Sequence, residues 1–349
     1  MNSSESTQRS NENSIALLPK LSGLGGPTSF QQKIIRGFDQ HGIHVHFDPQ
    51  DSNTKAVLVN GGSKQLFSIW KAHKQGKKIV QRLDGMNWMH RKRDTGIRHY
   101  LRSEYGNWNL SFIRKNLADH IIYQSNFSKN WWESKYGPVN AKSDVIYNGV
   151  DLNYYTPDGP HLRPNDHIRV LLVEGHFSGG HELGLLNAIR LVVHLSERFA
   201  QRIELMVVGD VPDLLRMEIE SVSNAWITWA GILSPEHIPG FDRSSHFLFS
   251  ADLNAACPNS VIEAIACGLP VVAYSTGSLP EILQEDAGRL ADYGANYWEL
   301  EPANIPALSD AALKILQRLP YYRKKARLRA ESIFGLEQMV ERYAQILVS

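Results

Sequence analysis

From Ile15 onward, short apolar runs alternate with longer segments whose apolar residues recur every three or four positions. That pattern predicts strands buried on both faces, interleaved with amphipathic helices. In the first half, strands are expected at Ile15–Leu18, His44–Phe47, Ala56–Val59, Lys78–Leu83 and His120–Gln124. Thr28 and Ser29 can cap a helix that runs through Phe30, Ile34, Ile35 and Phe38 to His41-Gly42, and further helices should cover Lys64–Gln75, Phe112–Ala118 and Ser128–Tyr136. The alternation restarts with strands at Ile168–Val173, Ile203–Val208, Ile227–Ala230, Phe247–Phe249 and Pro270–Ala273, and helices at Glu182–Arg198, Pro212–Val222 and Pro235–Phe241. Two such arrays define an α/β chain with two doubly wound, Rossmann-like domains. The expected division is a disordered polar tail over 1–13, a first domain over 14–155, a linker over 156–166, a second domain over 167–333 and a C-terminal helical segment over 334–349. The linker carries Pro157, Pro160 and Pro164, which suit a segment without regular structure.

The stretch Ala255–Glu281, AACPNSVIEAIACGLPVVAYSTGSLPE, concentrates the candidate chemistry. Pro258, Asn259 and Ser260 form a turn whose side chains can cap the helix that follows. Val261, Ile262, Ile265 and Ala266 give that helix a core face, and Gly268 ends it. A buried strand over Leu269–Ala273 then leads into Thr276-Gly277-Ser278 and a second helix start at Glu281. Glu263 on the short helix is placed to accept hydrogen bonds from a diol, and the small-residue loop at Gly277 and Ser278 lets backbone amides approach an anion. The competing reading is a plain strand–helix unit with Glu263 on a solvated face.

Three other places bear on function. The glycines at Gly25 and Gly26 join the first strand to its helix, where a small-residue loop suits close approach of phosphate or sugar oxygens, although such a loop is also an ordinary turn. Asp84 ends a parallel strand, where doubly wound sheets bring ligands, or else it caps the next segment. Gly175, His176 and His181 lie in the loop after the strand at Val170–Val173. His44 and His46 alternate on one strand with no third metal ligand in evidence, so a strand-surface role is preferred.

The wording CPNSVIEAIACGLPVVAYSTGSLPEIL resembles the donor-site signature of retaining glycosyltransferases of family 4, which have the GT-B fold of two Rossmann-like domains facing a cleft. Asn148-Gly149-Val150-Asp151 resembles the phrase closing the first domain of that family, and Arg82-Leu83-Asp84-Gly85 resembles a branch that reads Arg-Leu-Asp-Gly. The resemblance implies a hexosyltransferase working with retention of configuration, as in polysaccharide biosynthesis. Its donor would be a nucleotide-sugar, a UDP- or GDP-sugar, used without a further cofactor or metal. The acceptor would be a glycan or a lipid-linked compound. Glu263 would hold the donor ribose, with Asn259, Ser260, Gly175, Gly277 and Ser278 also at the donor. Asp84, His176 and His181 would act at the reacting centre, and Gly25 and Gly26 on the acceptor side. It also implies that the last helix returns to the first domain.

Three positions depart from the family pattern. The first glutamate of its Glu-x7-Glu pair falls at Ala255, and the arginine and lysine of its phosphate loop fall at His176 and His181. Histidine offers phosphate one donor and titrates near pH 6.5, whereas arginine offers two parallel bonds and permanent charge. These departures leave open a second reading, a catalytically silent GT-B protein that binds a nucleotide-sugar or glycan as a partner or regulator. An epimerase on the same fold ranks third. An NAD oxidoreductase is remote, because Gly23-x-Gly25-Gly26-Pro27 fails the dinucleotide spacing and has proline in the turn.

Composition narrows the setting. Lys plus Arg number 37 against 36 for Asp plus Glu, so bulk charge gives no reason to expect nucleic acid. The two cysteines, Cys257 and Cys267, have no metal-ligand or disulfide spacing. No apolar run approaches the roughly 18 residues that span a bilayer, and residues 1–13 lack the apolar core of a secretory signal. The expectation is a cytoplasmic protein, and the basic Arg91–Arg102 and Tyr321–Arg329 segments are compatible with peripheral membrane contact.

Overall fold

The computed structural model describes residues 14–23 and 25–348; the tail expected over 1–13 lies outside them. The chain divides into two units. One holds the chain up to Trp88, Gly96–Gly149 and the chain from Leu336 on; the other holds Met89–Thr95 and Val150–Gly335.

The first unit runs β1 (Ser14–Leu18), α1 (Gly26–Gln40), β2 (His44–His46), β3 (Thr54–Asn60), α2 (Leu66–Lys74), β4 (Lys78–Leu83), α3 (Ile97–Asn116), β5 (His120–Tyr123), α4 (Asn126–Tyr136) and β6 (Lys142–Val145). Its sheet is parallel with strand order β2-β1-β3-β4-β5-β6. β1, β3, β4 and β5 are apolar and buried on both faces, as strands covered by helices on each side must be. Ala16, Leu18, Val57 and Val59 meet Ile69, Ala72, Ile113 and Leu117 of the α2 and α3 side. Ile15, Leu17, Ala56 and Leu58 meet Phe30, Ile34 and Phe38 of α1 on the other.

The second unit runs β7 (His167–His176), α5 (Glu182–Ser196), β8 (Arg202–Asp210), α6 (Asp213–Val222), β9 (Trp226–Gly231), α7 (Ile238–Arg243), β10 (Phe247–Ser250), α8 (Asn259–Ala266), β11 (Val271–Tyr274), α9 (Leu279–Ile282), β12 (Gly288–Ala291), α10 (Ile305–Gln317) and α11 (Leu319–Ile333). Its parallel sheet has the order β12-β11-β10-β7-β8-β9. Both units are therefore doubly wound and Rossmann-like.

The last helix, α12 (Leu336–Val348), belongs to the first unit. Met339, Val340, Tyr343 and Leu347 enter the same core as Phe30, Ile34 and Phe38, and Tyr343 packs on Phe30 at 5.3 Å between ring centres. The approach is close because residue 37 of α1 is glycine; a Cβ there would overlap Val340.

Several boundaries differ from expectation. α1 starts at Gly26, with Gly25 at the cap position and Pro27 in the first turn, so Thr28 and Ser29 lie inside the helix and do not cap it. Likewise α8 has Pro258 at its cap position, and Asn259 and Ser260 are its first helical residues. β11 starts at Val271, leaving Leu269 and Pro270 outside the strand. The helix expected over Phe112–Ala118 is the last part of α3, which begins at Ile97, while β6, β12, α10 and α11 were not anticipated.

Candidate functional site

In the second unit the loops after β7, β10 and β11 rise from three neighbouring strands. β7 ends in a bulge: Val173 pairs with Val208 and His176 with Asp210, leaving Glu174 and Gly175 opposite the single Gly209. Gly175 and His176 are exposed as a result. The loop turns back through Gly179 and Gly180 to His181, the residue before α5, with Glu182 Oε2 accepting from the Gly180 amide at 2.9 Å. The two imidazoles, His176 and His181, meet edge to face with ring centres 5.2 Å apart. Burial holds His181 below the usual imidazole value, the His176 ring lowers it further, and Glu182 opposes both. Arg93 also donates to Glu182, at 3.3 Å.

The loop after β10 lies against this one, since a Cβ on Gly184 of α5 would stand 2.6 Å from the Ala251 Cβ. The carboxyl of Asp252 acts on that of Glu174 there. Burial, reinforced by Asp252, pushes Glu174 up to about 8, and burial pushes Asp252 up to about 7. This pair was not singled out in the sequence. Glu174 precedes Gly175 at the end of β7, but its partner arrives from another strand.

The loop after β11 is clamped onto the loop after β10. Ser278 N–H donates to the Ala255 carbonyl at 2.9 Å. Gly277 has φ 59°, and a Cβ on it would lie 2.7 Å from the Ala255 nitrogen and 2.8 Å from its oxygen, so no other residue fits without moving backbone. Four buried polar atoms collect in this stretch without a hydrogen-bond partner: Asn254 Oδ1 and Nδ2, Thr276 Oγ1 and Ser278 Oγ. Ser278 is fully buried, and its backbone amide rather than its hydroxyl makes the bond to Ala255.

Glu263 is half-buried in the middle of α8, beside Asn259 and Ser260 of its first turn. Its charge reaches Asp242, Tyr155 and Cys267. Burial first, and Glu263 second, raise Asp242 well above the usual carboxylate range and push up the Tyr155 phenol. Burial with Asp242 does the same to the Cys267 thiol, and Cys257 is also buried. Arg243 and Arg323 oppose the shift at Asp242.

The first unit holds the remaining candidates. Gly25, at φ 126°, precedes Gly26 at the start of α1. Asp84 follows β4; its carbonyl accepts from Ser128 Oγ at 2.9 Å and Trp132 Nε1 at 2.8 Å, while burial raises its carboxyl against the pull of Arg82. Sequence reasoning quoted Arg82 only within a motif. The structure shows it 3% exposed, stacked on Phe30 at 3.9 Å and donating to Asn60 Oδ1 at 2.9 Å and Asn148 Oδ1 at 2.8 Å. Asn60 in turn donates to the Pro27 carbonyl at 3.0 Å, so one buried guanidinium ties β3, β4, the Asn148 turn and the start of α1. Among the described residues no three His, Cys, Asp or Glu side chains group as a metal site; His46 instead contacts Thr54 Oγ1 at 3.1 Å.

Two parallel Rossmann-like units of this kind define the GT-B class. Residues 57–154 match the model described as Glycosyltransferase Family 4, and residues 170–318 match Glycosyl transferases group 1. The chain is a glycosyltransferase of the GT-B class. It resembles the family 4 members of that class. Among curated proteins no sequence matches it. Similar solved structures include sucrose-phosphate synthase from Thermosynechococcus elongatus, at 17% identity over 96% of this chain and 98% of that one, with a TM-score of 0.70. Another is Anabaena Alr3699/HepE in complex with UDP-glucose, at 15% identity over 96% and 99%, TM-score 0.70. A third is a glycosyltransferase from Rickettsia africae, at 17% identity over 97% and 98%, TM-score 0.67.

Proposed function

We propose that the chain moves a hexose from a UDP- or GDP-sugar to a glycan or lipid-linked acceptor, with retention of configuration. The nucleotide lies on the second unit, with Glu263 on the ribose and Gly175, Gly277 and Ser278 near the diphosphate. The observation that carries this reading is the convergence of the loops after β7, β10 and β11 on neighbouring parallel strands, with paired imidazoles in the first and tight glycine packing between the other two. That a similarly folded protein is known with UDP-glucose supports a nucleotide-sugar as donor. The acceptor meets the first unit at Gly25, Gly26 and Asp84.

Departure of the nucleoside diphosphate builds negative charge on phosphate as the sugar becomes oxocarbenium-like. The protein's work is to position the reactants and stabilise that charge. His176 and His181 stand where it would gather. His181 is held neutral by its surroundings, so a phosphate dianion must draw a proton onto it. The Glu174–Asp252 pair repels the same phosphate less when it keeps a proton. Both effects have one sign: donor binding should tighten as pH falls from 8 to 6. Thermal stabilisation by a panel of UDP-, GDP- and ADP-sugars across that range checks this. A ligand at a hundred times its dissociation constant adds about 2.7 kcal/mol. Stabilisation by one base, lost in Glu263→Ala, followed by NMR of the product anomer, supports the proposal; no stabilisation by any donor at any pH defeats it.

The silent-protein reading is favoured by one observation. Ala255, 4% exposed, stands where the resemblance implies a glutamate at the transferred sugar, beside Asn254 with its carboxamide unpartnered. Donor binding without transfer or hydrolysis against any acceptor pool would decide for it.

A further inference from the structure

Helix α3 is apolar on both of its faces. Its sheet-facing side buries Leu110 and Ile113 together with three bonded polar side chains. Asn107 exchanges bonds with the Asn87 backbone at 2.9 and 2.7 Å, and Asn109 does the same with Ser63 at 2.9 and 3.0 Å. Arg114 donates to the Tyr123 hydroxyl and the Gly137 carbonyl, both at 2.9 Å. The opposite side carries Ile97, Leu101, Tyr105 and Trp108 at spacings of four, four and three, a single stripe along one helix face. These four are 74%, 61%, 51% and 51% exposed. Phe112 extends the stripe by one turn, stacked on Trp108 at 5.4 Å, beside an open groove that continues to Lys115 and Tyr136. α2, on the same side of the sheet, adds exposed Phe67 and Trp70, stacked at 5.7 Å.

The charge around the stripe has one predominant sign. α3 carries Arg98, Arg102 and Lys115 on its exposed parts against one acid, Glu104, and α2 carries Lys71 and Lys74 with no acid. A two-fold pairing of copies through this stripe would bring two faces of the same predominantly basic charge together. An anionic lipid surface meets both demands: headgroups for the cations, and the acyl boundary for the aromatic and aliphatic rows. Tyr and Trp are the residue types that settle at that boundary. No helix among the described residues is long and apolar enough to cross a membrane, so the helix would lie in the interface plane. The geometry points to the outer face of α3, with Phe67 and Trp70 of α2, as a docking surface for an anionic lipid membrane.

The inference needs neither donor nor acceptor and is tested without them. The full chain is sedimented with vesicles of phosphatidylcholine alone, or of phosphatidylcholine and phosphatidylglycerol in equal parts. Binding is expected to the mixed vesicles only, weakened by salt. Arg98→Gln with Arg102→Gln should weaken it about thirtyfold, corresponding to roughly 1 kcal/mol per cation at the surface. Leu101→Ser with Trp108→Ser should weaken it at least about tenfold; both pairs are exposed, and unchanged melting temperatures confirm their folding. Absence of binding to mixed vesicles, equal binding to neutral ones, or equal binding by both variants overturns the inference. So does a solution dimer that Leu101→Ser with Trp108→Ser dissolves while vesicles capture nothing.

Discussion

Gly277 and Glu174 show how single residues set the character of the second unit's loops. Gly277→Ala would put a methyl against backbone nitrogen and oxygen of Ala255 in a left-handed conformation. The strain should cost about 1–3 kcal/mol, read as a lower denaturation midpoint, and should weaken any nucleotide-sugar binding. The sequence singled out Gly277 and Ser278 as a small-residue loop. It could not tell that the Ser278 hydroxyl would be buried, because that depends on the Ala255 backbone arriving from another strand. Glu174 escaped notice for a similar reason: its pairing with Asp252 is a matter of sheet order, not spacing. Its folded value, about 8 against an ordinary 4.5, means the native state holds a proton that the unfolded chain has already lost. Stability on this account is full below about pH 4.5 and declines as pH rises toward 8. Glu174→Gln should flatten that decline, which urea titrations at stepped pH would measure.

At the scale of elements, apolar periodicity located the strands well, since a strand buried on both faces is an uninterrupted apolar run whatever surrounds it. Helix starts were read less well. At α1 the hydroxyls of Thr28 and Ser29 suggested a cap, but Pro27 has its φ set for a first turn and needs no amide partner, so the helix begins earlier. The start of α3 carries no clean amphipathic signal because its two faces are both mixed: Asn107, Asn109 and Arg114 join Leu110 and Ile113 toward the sheet, while Ile97, Leu101, Tyr105 and Trp108 face out. Arg82 is the interior counterpart, a cation in an apolar strand that binds three neighbouring segments. Arg82→Leu would leave Asn60 Oδ1 and Asn148 Oδ1 without this donor. At about 1–3 kcal/mol for a buried acceptor left unsatisfied, loss of the bond to Asn60 alone should make the variant melt below the parent.

The whole molecule is two parallel sheets, and the sequence announced both through repeated strand–helix alternation. Of the elements it left unread, β12, α10 and α11 lie beyond the stretch whose wording carries the family resemblance, and β6, reading Lys-Ser-Asp-Val, has no apolar run to announce it. α12 is the feature on which the first unit's integrity turns, because Met339, Val340, Tyr343 and Leu347 fill the α1 side of its core. A chain stopped after residue 335 should keep a cooperative melt for the second unit and lose that of the first, with the first unit's amides exchanging freely with solvent. Val340→Ala should cost about 1–3 kcal/mol, felt in the first unit alone. The same feature governs the order of events on the ribosome. Domains ordinarily complete themselves in the order they are made. Here residues 14–149 emerge early yet lack a wall of their core until residue 348 is out, so the half synthesised first is the half that finishes last. Through that interval, while the second unit is being translated, the apolar row of Phe30, Ile34 and Phe38 stands uncovered, and nascent chains stalled before α12 are the ones chaperones should hold.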